Sequence, residues 1–202
     1  MLAQPVDKES LSTHDKDVGT SVAILKLPEG DKRRLTEGEI AMTRTVFGDA
    51  VDYDKVWVHH HGWWLFMGKQ DRNTAVTPNG EMYYPKDIYR NDFSSKDDGL
   101  ANALFMHEMV HVWQYQMGYR VKLNALRVTA RGSSAYAYNL TPDSHLRDFN
   151  MEQQGNIISD YYMICVRNKP DEAFNPDKDP DLLHMVMEPF LADPRDKNHL
   201  PR

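Results

Sequence analysis

With a single cysteine, Cys165, among 202 residues, the chain has no internal disulfide framework, and any metal site must be assembled from histidines and carboxylates. Long apolar runs are missing as well. No stretch approaches the ~20 residues that span a bilayer. The opening MLAQPVDKES has neither the basic start nor the apolar core of a secretory signal, so the sequence predicts a chain that is soluble when made in the cytoplasm. Positive charge is also in short supply: 24 Lys and Arg stand against 30 Asp and Glu, a net charge of -6, with no dense basic block. Such a surface argues against nucleic acid as a partner. No internal repeat points to a solenoid. What remains is ordinary globular usage, 41% hydrophobic and 27% charged, in a chain long enough for one domain with a substantial core.

Residues 1–34 mix Lys, Asp, Ser and Thr around one apolar patch, Val22 to Leu27, and read as a flexible arm or linker; residues 35–202 read as the folded domain. Thr36 and Glu39 have capping-box spacing, and Gly48 can end the turn, which predicts a helix over about 37–47. Tyr53 to Val58 and Trp63 to Met67 favour strands, separated by the polar His59-His60-His61-Gly62 turn. Asn73 to Thr77 and Glu81 to Tyr84 flank Pro78-Asn79-Gly80, a hairpin signal, so a small antiparallel sheet is expected. Leu100 to Met117 contains no Pro or Gly and carries apolar residues around most of its circumference, which predicts a buried helix started by Asp97 or Asp98 and stopped at Gly118. A long connection with at most short helices follows to 149, then a helix over 150–166, then a tail rich in Asp and Pro.

The long helix carries His107-Glu108-Met109-Val110-His111. Histidines at i and i+4 point to one side of a helix, one turn apart, so both imidazoles can bind one Zn²⁺ while the intervening Glu108 reaches the attacking water. Chance alone gives HExxH in roughly one of sixty shuffled sequences of this composition, so context matters. Two histidines buried together on an apolar helix without a shared partner would be costly, which favours a metal. A catalytic zinc usually takes three protein ligands and keeps one position open. The continuation HExxHxxGxxH is absent, because Gln114 and Met117 stand at its Gly and His positions. Another class of HExxH proteins takes a Glu from a later helix, and Glu152, at the start of the 150–166 helix, is the only Glu between Glu108 and Glu172, so it is the third candidate ligand; Asp148 and Asp160 are weaker substitutes. One Zn²⁺ per chain is expected.

These residues resemble the zincin metallopeptidases, and within them the gluzincin branch with two His and one Glu. The resemblance implies an α+β, zincin-like metallopeptidase domain, its small antiparallel sheet packed on the HExxH helix and a second helix supplying a metal ligand. Gluzincins often place an Asp one turn after the ligand Glu to orient the first His; Asn156 stands there and can accept an imidazole N–H through its amide oxygen. A longer stretch, LTEGEIAMTRTVFGDAVDYDKVWVHHHGWW with FMHEMVHVWQYQ and MEQQGNIISDYY, also looks like bacterial Vgr-related proteins. Similar metallopeptidase domains travel as toxic cargo on type VI secretion spikes. That resemblance implies an antibacterial effector acting on a protein or peptide substrate, export to a target cell's periplasm, and a spike protein or cognate inhibitor as partner. Two other readings stay open: a cell-wall peptide hydrolase, and a non-catalytic adaptor in which zinc only ties two helices together.

Other features are less specific. His59 and His61 would share one face of a strand and could hold a second metal, but a solvated turn is the commoner outcome. A donor for the developing oxyanion could be Tyr136, Tyr138, His145, Tyr161 or His184. Arg127 and Arg131 could grip a carboxylate, though surface arginines are usually solvated. Asp177, Asp179 and Asp181 alternate as in calcium loops, but without the loop's central Gly and closing Glu.

Overall fold

The computed structural model describes residues 27–63, 74–129 and 132–202. Residues 1–26, which hold most of the expected arm, lie outside the described residues, as do Arg131 and nearly all of the expected Trp63 to Met67 strand. The chain order is β1 (Lys32–Arg33), α1 (Glu37–Phe47), β2 (Val58–His59), β3 (Met82–Tyr83), α2 (Gly99–Gln116), α3 (Val121–Thr129), α4 (Met151–Tyr161) and α5 (Pro180–Ala192).

The Thr36 hydroxyl accepts from the Glu39 amide at 3.0 Å and the Glu39 carboxylate accepts from the Thr36 amide at 2.9 Å, so the capping box is closed and α1 starts where the spacing placed it. Glu39 does more than cap. Its fully buried carboxylate takes two bonds from the Arg33 guanidinium, at 2.8 and 2.7 Å, and one from the Phe93 amide at 2.9 Å. A buried charge needs all of these partners to offset its desolvation, and together they join β1, α1 and the loop before α2.

The sheet is small and mixed. Its order is β1-β2-β3, with β1 and β2 antiparallel but β2 and β3 parallel, which corrects the expectation of a purely antiparallel sheet. The expected strand over Tyr53 to Val58 is correspondingly short, because Tyr53–Lys55 forms a 3₁₀ turn and pairing begins at Val58. The hairpin around Pro78-Asn79-Gly80 is present as one antiparallel bridge between Val76 and Tyr83. Gly80 sits at φ +75 with its α-carbon against the Tyr115 ring, a position that no side chain could share.

Asp98 caps α2 by accepting from the Ala101 amide, and Gly118, at φ +93, ends it. Phe105, Met106, Met109, Val110, Val112 and Trp113 are fully buried, so α2 runs through the middle of the core with neighbours on nearly every side. Helix α4 lies along it, started by the Asn150 side chain and continued by a π-helical turn at Tyr162–Val166. The two helices are stitched at both ends: the Ser159 hydroxyl donates to the Ala103 carbonyl at 2.8 Å, and the Gln114 amide donates to Gln154 Oε1 at 3.0 Å. The Asp- and Pro-rich tail also holds a helix that the sequence reading missed, α5, capped by Asp179 with Pro180 in its first turn. Phe190 of α5 packs edge-on between Phe47 of α1 and Trp113 of α2, at 6.0 and 5.1 Å. No helix among the described residues is long and apolar enough to cross a membrane.

Candidate metal centre

His107 and His111 face α4 from successive turns of α2, and Glu152 faces them from the first turn of α4. Glu152 Oε2 lies 3.1 Å from His107 Nε2 and 3.3 Å from His111 Nε2, and the two Nε2 atoms are 3.2 Å apart. All three side chains are buried.

The supporting amides decide which ring nitrogens carry protons. Asn156 Nδ2 donates to the Tyr136 carbonyl at 3.1 Å, which turns its Oδ1 toward His107 Nδ1 at 3.0 Å. Gln114 Nε2 donates to Gln154 Oε1 and to the Met151 carbonyl, which turns its Oε1 toward His111 Nδ1 at 2.9 Å. Gln154 is itself held, donating to the Leu146 and His199 carbonyls, each at 2.8 Å. Both imidazoles therefore donate from Nδ1, and both Nε2 lone pairs face the Glu152 carboxylate. Three acceptors meeting with no donor between them is an arrangement that a cation resolves, and two imidazoles with one carboxylate suit Zn²⁺. Among the described residues this is the group of His, Cys, Asp and Glu side chains placed to hold a metal, with ligand atoms within 4.8 Å of one another.

Without a cation, a proton takes that place. Burial opposes charge on His111, but the Glu152 carboxylate, Glu108 and the bond to Gln114 outweigh it and raise its pKa to about 9. Burial would push the Glu152 carboxyl up, yet the two imidazoles hold it well below the usual carboxylate range.

Gly155 permits this closeness. A Cβ at that position would lie 2.5 Å from His107 Cε1 and 2.7 Å from Nδ1, so α4 approaches α2 across a bare α-carbon. Glu108 points to the other side of the group, into the cavity. Its Oε2 accepts from the Thr77 hydroxyl at 2.5 Å, and so the Val76 bridge segment fixes the carboxylate. Thr77 and Gly155 do not figure in the sequence pattern, and Gln114 figures there only as the residue that breaks HExxHxxGxxH. Gln114, three residues after His111 on the same helix, was legible as a partner; the other two depend on chain segments that meet only in the fold.

The cavity beside these residues is about 560 Å³. Of the five oxyanion-donor candidates, Tyr136 alone lines it. Its ring centroid is 6.3 Å from that of His107, and burial together with the Glu152 and Glu108 carboxylates pushes its phenol up to about 12, so it keeps its proton. Tyr138 instead donates to buried Asp160 at 2.6 Å, His145 pairs with Asp148, and Tyr161 meets the His184 ring edge-on at 5.3 Å. Asp160 also accepts from the Asn175 amide and side chain and stands apart from the metal group; so does the exposed Asp148.

The tri-His turn is not a solvated one. His59 and His60 are buried: His59 contacts Glu81 Oε2 at 2.6 Å and stacks on Tyr83, while His60 contacts the Leu27 carbonyl at 2.7 Å and stacks on Tyr89. Arg127 is exposed. Asp179, in the alternating acidic run, caps α5 and accepts from the Asp181 amide.

No family model matches the chain. It is similar to the type VI secretion system spike protein VgrG2b of Pseudomonas aeruginosa, with 37% identity in an alignment of 153 residues that covers 72% of this chain and 15% of the relative. Among solved structures it is similar to the effector domain of Pseudomonas aeruginosa VgrG2b, with 32% identity and a TM-score of 0.63 over 84% of this chain and 89% of that one.

Proposed function

The chain belongs to the family of the VgrG2b effector domain, and from that premise we propose that it is a zinc-dependent metallopeptidase, a toxin effector of a type VI secretion system that hydrolyses peptide bonds. The observation that carries the chemistry is the facing of His107 Nε2, His111 Nε2 and Glu152 Oε2 at 3.1–3.3 Å, with Glu108 at their side and out of the ligand set. A closed structural zinc site has four protein ligands, and a three-ligand group opening on a cavity leaves a position for substrate or water. This favours catalysis over the adaptor reading. A spike protein and a cognate inhibitor are the partners that follow from the proposal, and a target cell's periplasm is the place of action.

Zinc held there would supply Lewis acidity to a scissile carbonyl and acidity to a water. Asn156 and Gln114 keep both imidazoles in the ligating tautomer. Glu108, fixed through Oε2 by Thr77, takes the proton of the attacking water and passes it to the leaving amine. The Tyr136 phenol, protonated at neutral pH, donates toward the oxygen on which charge develops.

Glu108→Gln tests this reading. The amide keeps the volume and an oxygen for the Thr77 hydroxyl but cannot take the proton. Zinc content and thermal unfolding should match the parent, while hydrolysis, or toxicity in a target compartment, falls by ~10²–10⁴-fold. Full activity in a zinc-loaded Glu108→Gln protein would refute the mechanism and favour the adaptor.

A further inference from the structure

About two turns along α4 from Glu152, the side chain of Asp160 is fully buried and takes no part in the candidate metal group. Three donors converge on it. The Tyr138 hydroxyl donates to Oδ2 at 2.6 Å, the Asn175 side chain to Oδ2 at 2.7 Å, and the Asn175 backbone amide to Oδ1 at 3.1 Å. Burial, with the Asp160 carboxylate beside it, pushes the Tyr138 phenol well above its usual range, so it keeps its proton and stays a donor. A carboxylate accepts on both oxygens, whereas an amide in its place would turn NH₂ toward one of these donors.

Both partners of Asp160 belong to segments that wall the cavity. Tyr136, Ala137 and Tyr138 lie in neither helix nor strand, and side chains hold each of their carbonyls: Asn156 that of Tyr136 at 3.1 Å, Gln153 that of Ala137 at 2.6 Å and Lys178 that of Tyr138 at 2.8 Å. Lys178 thereby ties this segment to the one that carries Phe174 and Asn175. Tyr136 and Phe174 both line the cavity, with ring centroids 6.3 and 6.0 Å from that of His107. Segments without a backbone ladder are placed by such side-chain bonds. Breaking the bonds to Asp160 would strand a buried hydroxyl and a backbone N–H and free both segments at once.

We propose that Asp160 is a positioning residue for hydrolysis: by binding Tyr138 and Asn175 together, it holds the Tyr136 phenol where charge develops and Phe174 against the His107 ring. The proposal rests on the metallopeptidase reading and gives this buried carboxylate a role outside the metal group. Since the Tyr136 phenol acts on charge present only in the transition state, misplacing it lowers kcat and spares KM and zinc affinity.

The test compares the zinc-loaded full chain with Asp160→Asn, Tyr138→Phe, Tyr136→Phe and the double variant Tyr136→Phe with Tyr138→Phe, on the most rapidly cut member of a randomised peptide library. A misplacement of about 1 Å can cost ~10²-fold, so Asp160→Asn and Tyr138→Phe should each lower kcat by ~10- to 100-fold, with KM and zinc affinity within about twofold of the parent. On the Tyr136→Phe background, losing the Tyr138 hydroxyl should cost less than about twofold, because the group it positions is already gone. Losses that multiply independently, a parental kcat in Asp160→Asn or Tyr138→Phe, or a fall in kcat matched by loss of zinc would overturn the proposal and leave the metallopeptidase standing. So would a parental kcat in Tyr136→Phe, which leaves Asp160 nothing to position. A second readout needs no turnover: with meta-fluorotyrosine in place of Tyr136 in the zinc-loaded chain, the fluorine NMR signal should shift or broaden in Asp160→Asn and in Tyr138→Phe. An unmoved signal overturns the proposal. If no peptide is cut by protein that holds zinc, the metallopeptidase reading fails, and this signal alone decides whether Asp160 positions Tyr136. Should Asp160→Asn fail to fold, Tyr138→Phe, which removes a single hydroxyl, carries both readouts.

Discussion

Gly155→Ala perturbs the proposed metal site without replacing any of its candidate ligands. The added methyl would lie 2.5 Å from His107 Cε1, 2.7 Å from Nδ1 and 2.8 Å from Nε2. Ordinary contact between carbon atoms needs ~3.5–4.0 Å, so the ring or the helix must give way by about 1 Å. The ring has nowhere to go: Asn156 holds Nδ1 at 3.0 Å, and rotation away from the methyl breaks that bond. The helix cannot easily retreat either, since Ser159 to Ala103 and Gln154 to Gln114 fasten it on both sides. Metal ligands tolerate deviations of only ~0.2 Å, so Nε2 is carried out of reach of a geometry shared with His111 and Glu152. Changes that merely reorient a ligand weaken metal binding by ~10–100-fold, and displacement should cost at least that much. Folding stability should respond differently. Overpacking costs ~1–3 kcal/mol, while alanine in a helix interior regains about 1 kcal/mol over glycine. The metal-free variant should therefore unfold within ~2 kcal/mol of the metal-free parent. Zinc affinity by chelator competition and urea unfolding of the metal-free proteins measure the two effects separately. A Gly155→Ala protein that binds zinc within threefold of the parent would refute the claim that the bare α-carbon sets the position of His107.

Tyr136→Phe should keep zinc affinity and folding but lower kcat by ~10²–10³-fold with little change in KM, because the phenol acts on charge that develops only in the transition state; equal losses in kcat and zinc binding would assign the ring a packing role instead. For metal-free protein the pH dependence follows from His111, whose pKa is raised to about 9 in the folded state. A raised pKa contributes stability that is fully present below the unfolded value and is lost as pH rises through the folded one. The melting temperature of chelator-treated protein should thus fall between pH 7 and pH values above about 9, and the gain on adding zinc should widen over the same range. A flat or rising profile that His111→Gln leaves unaltered would remove the proton from between His111 and Glu152.

Much of the helical framework was legible because its signals are local. Thr36 with Glu39 marks the start of α1, Asp98 with Gly118 brackets α2, and Asn150 starts α4; each works through bonds within four residues of itself. Helix α5 carried a local signal too. Asp179-Pro180 is a good start, and Leu183, Val186, Met187 and Phe190 recur at helical spacing and are all buried. The acidic and proline-rich stretch before it, and Pro189 within it, disguised that pattern. The sheet was legible only as propensity. Two-residue strands leave pairing direction to long-range packing, and the parallel partner of β2 lies across the segment between Val58 and Met82, so nothing near His59 announces it. The buried state of His59 and His60 follows from the same long-range pairing, since Tyr83 and Tyr89 supply the rings they stack on.

The site divides along the same line. HExxH is a local pattern because helix geometry alone brings His107 and His111 to one side, and Glu152 could be reached only through the resemblance to sites that take a Glu from a later helix, where it is the one Glu between Glu108 and Glu172. What makes the group more than three nearby side chains is the orientation of two amides, and that orientation is set from outside the motif. Asn156 is turned by the Tyr136 carbonyl, and Gln114 by Gln154, which is turned in its own right by the Leu146 and His199 carbonyls. If either amide were reversed, its NH₂ would face a ring Nδ1, the ring would move its proton to Nε2, and one of the three metal-facing lone pairs would be gone. The chain from His199 to Gln154 to Gln114 to His111 thus lets the segment that follows α5 bear on the tautomer of a residue in the middle of α2, a dependence that no spacing within α2 could encode.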